Sequence, residues 1–124
     1  MRLAVAVILF GHGVAHLPGF LVAWQLATLR ELPHRTTVLA NSVAVGERGI
    51  RVVGVLWLIA ALAFTACSIG ALGRASWWLP VALTAAAFSI VLCILGWPDP
   101  RIGAFVNVAI SLLLLLARQM GTLP

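Results

Sequence analysis

Four long apolar runs constrain this chain more than any other feature of its sequence. They cover about residues 3–29, 50–72, 77–97 and 102–120. About 20 apolar residues in an α-helix cross a hydrocarbon layer about 30 Å thick, and each run reaches that length. Only 9% of the residues are charged, against roughly a quarter in a soluble domain. The sequence therefore predicts a single all-α domain, an integral membrane four-helix bundle.

The breaks between the runs predict how the helices connect. The segments "GALGRAS" and "WPDPR" are short, and short loops join antiparallel neighbours, so we expect an up-down-up-down bundle spanning residues 1–124. Pro98 and Pro100 end the third helix at or before Trp97. The first run is too long for a cleaved signal peptide, which favours a retained helix. The long first loop, residues 30–49, is expected to be an ordered connector.

Arginine accounts for all eight cationic side chains, and with three acidic residues the net charge is +5. The arginines stand singly at the ends of apolar runs, where membrane proteins place cations, and no basic cluster for nucleic acid is present. Positive-inside counting places the first and third loops in the cytoplasm and both termini outside, in a multi-pass protein of a bacterial inner membrane. The arginines of those two loops are Arg30, Arg35, Arg48, Arg51 and Arg101.

The stretch "FGHGVAHLPGF", residues 10–20, places two histidines inside the first apolar run. His12 and His16 are four residues apart, so a helix puts them on one face. Small residues beside them form a stripe that lets another helix approach closely: Gly11, Ala15 and Gly19. Intramembrane ionisable groups are candidate functional groups.

Each of the other runs also carries small or polar residues, and lipid cannot satisfy their hydrogen bonds. They are Thr65 and Ser68 in the second run, Ser89 and Cys93 in the third, and Gly103, Asn107 and Ser111 in the fourth. We therefore expect these faces to turn inward. At about 1.5 Å per residue from the face of the first and third loops, Asn107 lies about 9 Å deep and His12 about 24 Å deep. The sequence thus predicts a polar column along the bundle axis, with His16 near the midplane.

Several roles for the two histidines remain open. They could tie helices together by hydrogen bonds, helped by Pro18, which frees the carbonyl of Val14. They could line an apolar pocket for a quinone-like or lipid-like molecule, or form a proton or transport path. A metal or haem site lacks a complete ligand set, because no carboxylate lies within any helix. Catalysis lacks a third group to orient a histidine.

Cys67 and Cys93 do not form a Cys-x-x-Cys motif, so thiol–metal and thioredoxin-like sites lack their spacing. Their depths of about 24 Å and about 6 Å argue against a disulfide, which needs Cα atoms within about 7 Å. We assign no catalytic residue, no metal ligand and no cofactor. The ligand-binding candidates are His12, His16, Ser89, Asn107, Ser111 and Trp57.

The order of motifs resembles a group of small bacterial four-helix membrane proteins with an H-G-x-x-H-x-x-G-F pattern. In this chain "HGVAHLPGF" is followed by "GVLWL" and then by "WPDPRIGAFVN". The resemblance covers nearly the whole chain and carries no biochemical activity; the prolines on both sides of Asp99 depart from its pattern. More distantly, the architecture resembles DoxX-like four-helix membrane proteins. The matched positions are His12, His16, Gly19, Phe20, Trp57, Ser89, Asp99, Gly103 and Asn107.

Taken together, these features favour a ligand-binding or accessory membrane subunit without catalysis. The alternative is a small membrane enzyme or transporter that acts on a hydrophobic substrate through His12 and His16. The expected partners are the lipid bilayer, a hydrophobic small molecule, and either a membrane subunit or a second copy of the chain; nucleic acid is not expected.

Overall fold

The computed structural model describes residues 1–123 and is mostly helical. Within those residues the helices are α1 (Arg2–Val14), α2 (Leu17–Ala23), α3 (Gly46–Leu72), α4 (Trp78–Leu95) and α5 (Arg101–Gln119). The pair α1–α2 and the single helices α3, α4 and α5 give four segments that are long and apolar enough to cross a membrane. The predicted all-α class is confirmed, and the four apolar helices suggest a multi-pass membrane protein.

The first predicted helix is interrupted at Ala15 and His16. Pro18 falls in the first turn of α2, where its missing N–H and fixed φ suit a helix start. The backbone N–H of His16 bonds to the carbonyl of Gly13 at 3.0 Å, a tighter turn than the α-helical pattern requires. The proline therefore restarts the helix instead of lying within it.

The first apolar segment also ends at Ala23, six residues before the predicted end at residue 29. Gln25 has a φ of 55°, outside the helical region, and the amide of Leu26 bonds back to the carbonyl of Leu21. The Trp24 indole donates to the carbonyl of Arg51 on α3 at 3.0 Å. The chain leaves the helix here because it is tied down onto α3.

Between α2 and α3 the chain forms a small hairpin of two short antiparallel strands, β1 (Thr37–Val38) and β2 (Val43–Ala44). The amide of Leu39 in the hairpin turn bonds to the carbonyl of Leu95 at the end of α4 at 2.8 Å. This connector is ordered, as expected, but the sequence did not predict the strands. It packs over the end of α4.

The helices pack in the order α1 and α2 on α3, α3 on α4, and α4 on α5. Their core combines large apolar side chains with four alanines and a cysteine, small residues that allow the backbones to approach closely. Its buried members are Leu9, Phe64, Cys67, Ala71, Trp78, Leu79, Ala82, Ala85, Ala86, Ile110, Leu114 and Leu123. The helices α1 and α5 are not among the closely packed pairs, so a gap separates them.

Glycine contacts on α1 differ from the predicted stripe. A Cβ on Gly13 would lie 3.0 Å from the carbonyl oxygen of Ala61 and 3.1 Å from Cβ of Phe64, whereas a Cβ on Gly11 would meet nothing within 4 Å. Gly13 therefore makes the close approach to α3, and the expectation that Gly11 does so is wrong. Gly11 faces the gap because Gly13, two residues further along α1, faces α3.

The outer face of α5 is strongly apolar. Ile102, Phe105 and Leu113 are 73%, 70% and 63% exposed. Large hydrophobic side chains in the core of a water-soluble protein are far less exposed. An apolar solvent around α5 would remove this surface from water, as a bilayer does.

We expect Gly13→Ala to lower the melting temperature of the detergent-purified protein relative to Gly11→Ala. Both changes add the same methyl group and the same gain in helix propensity, but only the first overpacks α1 against the backbone of α3. Such overpacking costs about 1–3 kcal/mol. Equal melting temperatures for the two variants would contradict the close packing of α1 on α3.

Candidate functional site

Four polar side chains from α1, the following turn, α4 and α5 meet inside the bundle. Nε2 of His12 lies 2.9 Å from Oδ1 of Asn107, and Nε2 of His16 lies 2.5 Å from the hydroxyl of Ser89. The amide nitrogen of Asn107 donates to Ser89 at 2.8 Å. All four side chains are buried. We call His12, His16, Ser89 and Asn107 the histidine cluster.

Two backbone carbonyls fix where the protons of the histidine cluster lie. Nδ2 of Asn107 also donates to the carbonyl of Gly103 at 2.8 Å, which orients the amide so that Oδ1 faces His12. Since that oxygen only accepts, Nε2 of His12 carries the proton.

The second carbonyl fixes the proton on His16. Nδ1 of His16 lies 2.7 Å from the carbonyl of His12, so Nδ1 carries the proton and Nε2 of the neutral ring accepts from Ser89. The bonds then run in one direction, from His12 to Asn107, to Ser89, to His16, and back to the backbone of His12. In this arrangement the two imidazoles are opposite tautomers.

The break between α1 and α2 supplies the last acceptor of this network. In an uninterrupted helix the carbonyl of His12 would accept the backbone N–H of His16. Here that N–H bonds to Gly13, and the His16 imidazole takes its place. The sequence had suggested that Pro18 frees the carbonyl of Val14 for a side-chain donor. The carbonyl that accepts a side-chain hydrogen bond, from His16, is instead that of His12.

Aromatic rings enclose the two imidazoles. The ring of Phe64 lies 4.8 Å from His12 and 5.2 Å from His16, and Trp57 lies 5.4 Å from His16, measured between ring centroids. Trp57 fits there because a Cβ on Gly19 would come within 2.5 Å of its ring. Phe64 stands in an unbroken apolar run, so no sequence signal marked it as part of the site.

A cavity of about 700 Å³ lies beside the histidine cluster. Gly11 and Ala15 line it from the first apolar segment, and Gly103 and Val106 line it from α5. It therefore occupies the gap between α1 and α5. All four members of the cluster contribute to its wall. A volume of this size falls within the range of about 300–1,000 Å³ typical of small-molecule sites.

The cavity extends from the histidine cluster to the connector between α2 and α3, where charged residues line it. The guanidinium of Arg35 donates to the carboxylate of Asp99 at 2.9 Å, joining this connector to the loop before α5. His34 bonds to the carbonyl of Val22 and to Glu47. The resemblance had singled out Asp99, but the sequence did not predict its partner. The cavity wall thus combines a neutral polar cluster, an apolar middle and a charged rim.

The structure places the six ligand-binding candidates unequally. Five of them line the cavity: His12, His16, Ser89, Asn107 and Trp57. Ser111 does not; its hydroxyl donates to the carbonyl of Asn107 within α5. The hydroxyl of Thr65 likewise donates within its own helix, to Ala61.

The predicted polar column is replaced by a compact cluster. His12 and Asn107 were expected at depths of about 24 Å and about 9 Å, yet their side chains are joined by a hydrogen bond of 2.9 Å. Roughly 9 Å of the expected separation of about 15 Å is removed because the first segment ends at Ala23, six residues early at 1.5 Å per residue.

Other reactive groups lie apart from one another. Within residues 1–123, no three His, Cys, Asp or Glu side chains come together as a metal site would require. Cys67 and Cys93 are free and buried; Cys67 belongs to the core, and Cys93 lines the cavity. Comparison with protein-family models, curated proteins and solved structures finds no match to this chain.

We expect Ser89→Ala to destabilise the protein by about 1–3 kcal/mol, because it leaves His16 without a donor and Asn107 with an unpaired N–H in a buried setting. Ser111→Ala removes only a bond within one helix and should cost less than about 0.5 kcal/mol. Thermal unfolding of both variants in the same detergent measures the difference. A Ser89→Ala variant as stable as Ser111→Ala would show that the cluster does not hold the helices together.

Proposed function

We propose that this chain is a multi-pass protein of a bacterial inner membrane that binds an apolar small molecule, quinone-like or lipid-like, in the cavity between α1 and α5. Its four membrane segments would run up-down-up-down, with both termini outside. The observation that carries the proposal is the combination of a cavity of about 700 Å³ with a buried polar cluster in its wall. A largely apolar pocket with a few fixed polar groups is the usual form of a small-molecule site.

The position of the cavity favours a ligand that enters from the bilayer. It lies in the gap between α1 and α5, and the apolar residues Val7 and Ile8 of α1 and Ile102 of α5 line it. Ile8 and Ile102 are also exposed on the outside of the bundle, so an apolar molecule would pass from lipid into the cavity without crossing a charged surface.

The hydrogen bonds of the histidine cluster favour binding over catalysis. Both ring nitrogens of His16 are engaged, which leaves Nδ1 of His12 as the one ring nitrogen that could act as a base. The cluster contains no carboxylate to stabilise the imidazolium that such a base becomes. A binding or accessory subunit without catalysis is therefore our main proposal. The contact of both histidines with the open cavity supports the alternative, a membrane enzyme or transporter that acts on a hydrophobic substrate.

Native mass spectrometry of the protein released from membranes tests the proposal. We expect wild-type protein to carry an added small molecule and Gly11→Phe to lose most of it. A Cβ at position 11 would meet no protein atom within 4 Å, and Gly11 lines the cavity, so we expect the Phe ring to occupy cavity space.

Val14→Phe is the matched control, since Val14 is exposed on the same helix and does not line the cavity; we expect it to retain the ligand. Equal occupancy in wild type, Gly11→Phe and Val14→Phe would place any bound molecule outside the cavity and overturn the proposal.

A further inference from the structure

Nδ1 of His12 is the member of the histidine cluster left without a hydrogen bond. Nε2 of that ring donates to Asn107, so in the neutral imidazole Nδ1 holds a lone pair and can only accept. His12 is 9% exposed as a residue, and Phe64 and His16 pack against its ring. An acceptor packed against aromatic rings lies in a medium of low dielectric constant, where a hydrogen bond is stronger than in water.

This nitrogen is accessible from the cavity. Among the described residues, every fully buried side-chain nitrogen or oxygen has a hydrogen-bond partner, whereas Nδ1 of His12 has none. It is therefore not sealed by protein. Since His12 lines the cavity, the open side of its ring is the cavity side.

The remaining polar atoms of the cluster offer no donor to a ligand. Both N–H bonds of the Asn107 amide are used, on Ser89 and Gly103. The Ser89 hydroxyl donates to His16, and the His16 N–H donates to a backbone carbonyl. The Cys93 thiol in the same wall is a weak donor. A ligand carbonyl or ether oxygen that faces the cluster would therefore find no strong donor within it. The indole N–H of Trp57, whose ring packs against His16, is a donor in the cavity wall outside the cluster.

We infer that the cavity takes an apolar molecule bearing a hydroxyl group, an alcohol or a phenol, whose O–H donates to Nδ1 of His12. This inference rests on the proposed binding function and narrows it. The cluster selects a hydroxyl over the corresponding carbonyl, so a reduced molecule binds in preference to its oxidised form. His12 is the specificity-determining residue, and Asn107 acts through it by holding the proton on Nε2.

Two probes with one carbon skeleton test the selection. Tridecan-2-ol and tridecan-2-one are titrated by calorimetry into protein in lipid nanodiscs, with empty nanodiscs subtracted to remove partitioning into lipid. We expect the alcohol to bind roughly two- to tenfold more tightly, the range that one hydrogen bond supplies.

The paired change His12→Leu, Asn107→Leu should bring this ratio to about one. It removes the lone pair of Nδ1 together with the Asn107 oxygen that loss of the imidazole would leave free to accept. Ser111→Ala, which alters a hydroxyl outside the cavity, should leave the ratio unchanged. Should the paired variant fail to fold, ¹⁵N NMR of wild-type protein gives the same answer: the alcohol, and not the ketone, should shift the Nδ1 resonance of His12.

Each other outcome has a definite meaning. If the ketone binds as tightly as the alcohol or more tightly, and Gly11→Phe abolishes the binding of both probes, the hydroxyl preference is overturned and the binding function stands. A preference for the alcohol that persists in the paired variant His12→Leu, Asn107→Leu overturns the role of His12. If neither probe binds above empty nanodiscs, the inference falls together with the proposed function for molecules of this class.

Discussion

The buried polar groups of this chain must satisfy one another, since neither the apolar core nor lipid can do so. The histidine cluster meets that requirement with one directional set of hydrogen bonds that begins and ends on His12. Each bond depends on the next, because the orientation of Asn107 sets the tautomer of His12, and the backbone break at His16 sets the tautomer of the second ring. The bond between His12 and Asn107 joins α1 to α5, two helices that do not otherwise pack closely.

The two sides of α1 consequently serve different purposes. On one side Gly13 lets the helix lie directly against α3, which fixes the position of the histidines. On the other side Gly11 faces open space, and the hydrogen bond to Asn107 bridges the gap that close packing leaves empty. The cavity is thus a consequence of how α1 is held. Its wall combines rigid polar groups with apolar surface, the combination that gives a binding site both orientation and affinity.

Much of the fold and part of the site could be predicted from the sequence, for reasons that differ between elements. Hydropathy and length revealed the four long apolar segments, and polar side chains in apolar runs revealed most of the cluster, because such groups must face inward. The predicted end of the first segment was wrong because residues 24–29, "WQLATL", continue the apolar run that precedes them. The helix ends where Trp24 contacts α3. Depths counted along ideal helices failed for the same reason. The hairpin, the ring of Phe64 and the gap beside α5 depend on tertiary packing that no local pattern records.

The tautomers of the two histidines provide the most direct test, because every bond in the cluster depends on them. Solid-state or solution ¹⁵N NMR of histidine-labelled protein at neutral pH distinguishes a protonated ring nitrogen from one with a lone pair. We expect the proton of His12 on Nε2 and that of His16 on Nδ1, with both rings neutral. Two rings of the same tautomer, or a doubly protonated ring, would contradict the hydrogen-bond network and with it the acceptor that the cavity presents to a ligand.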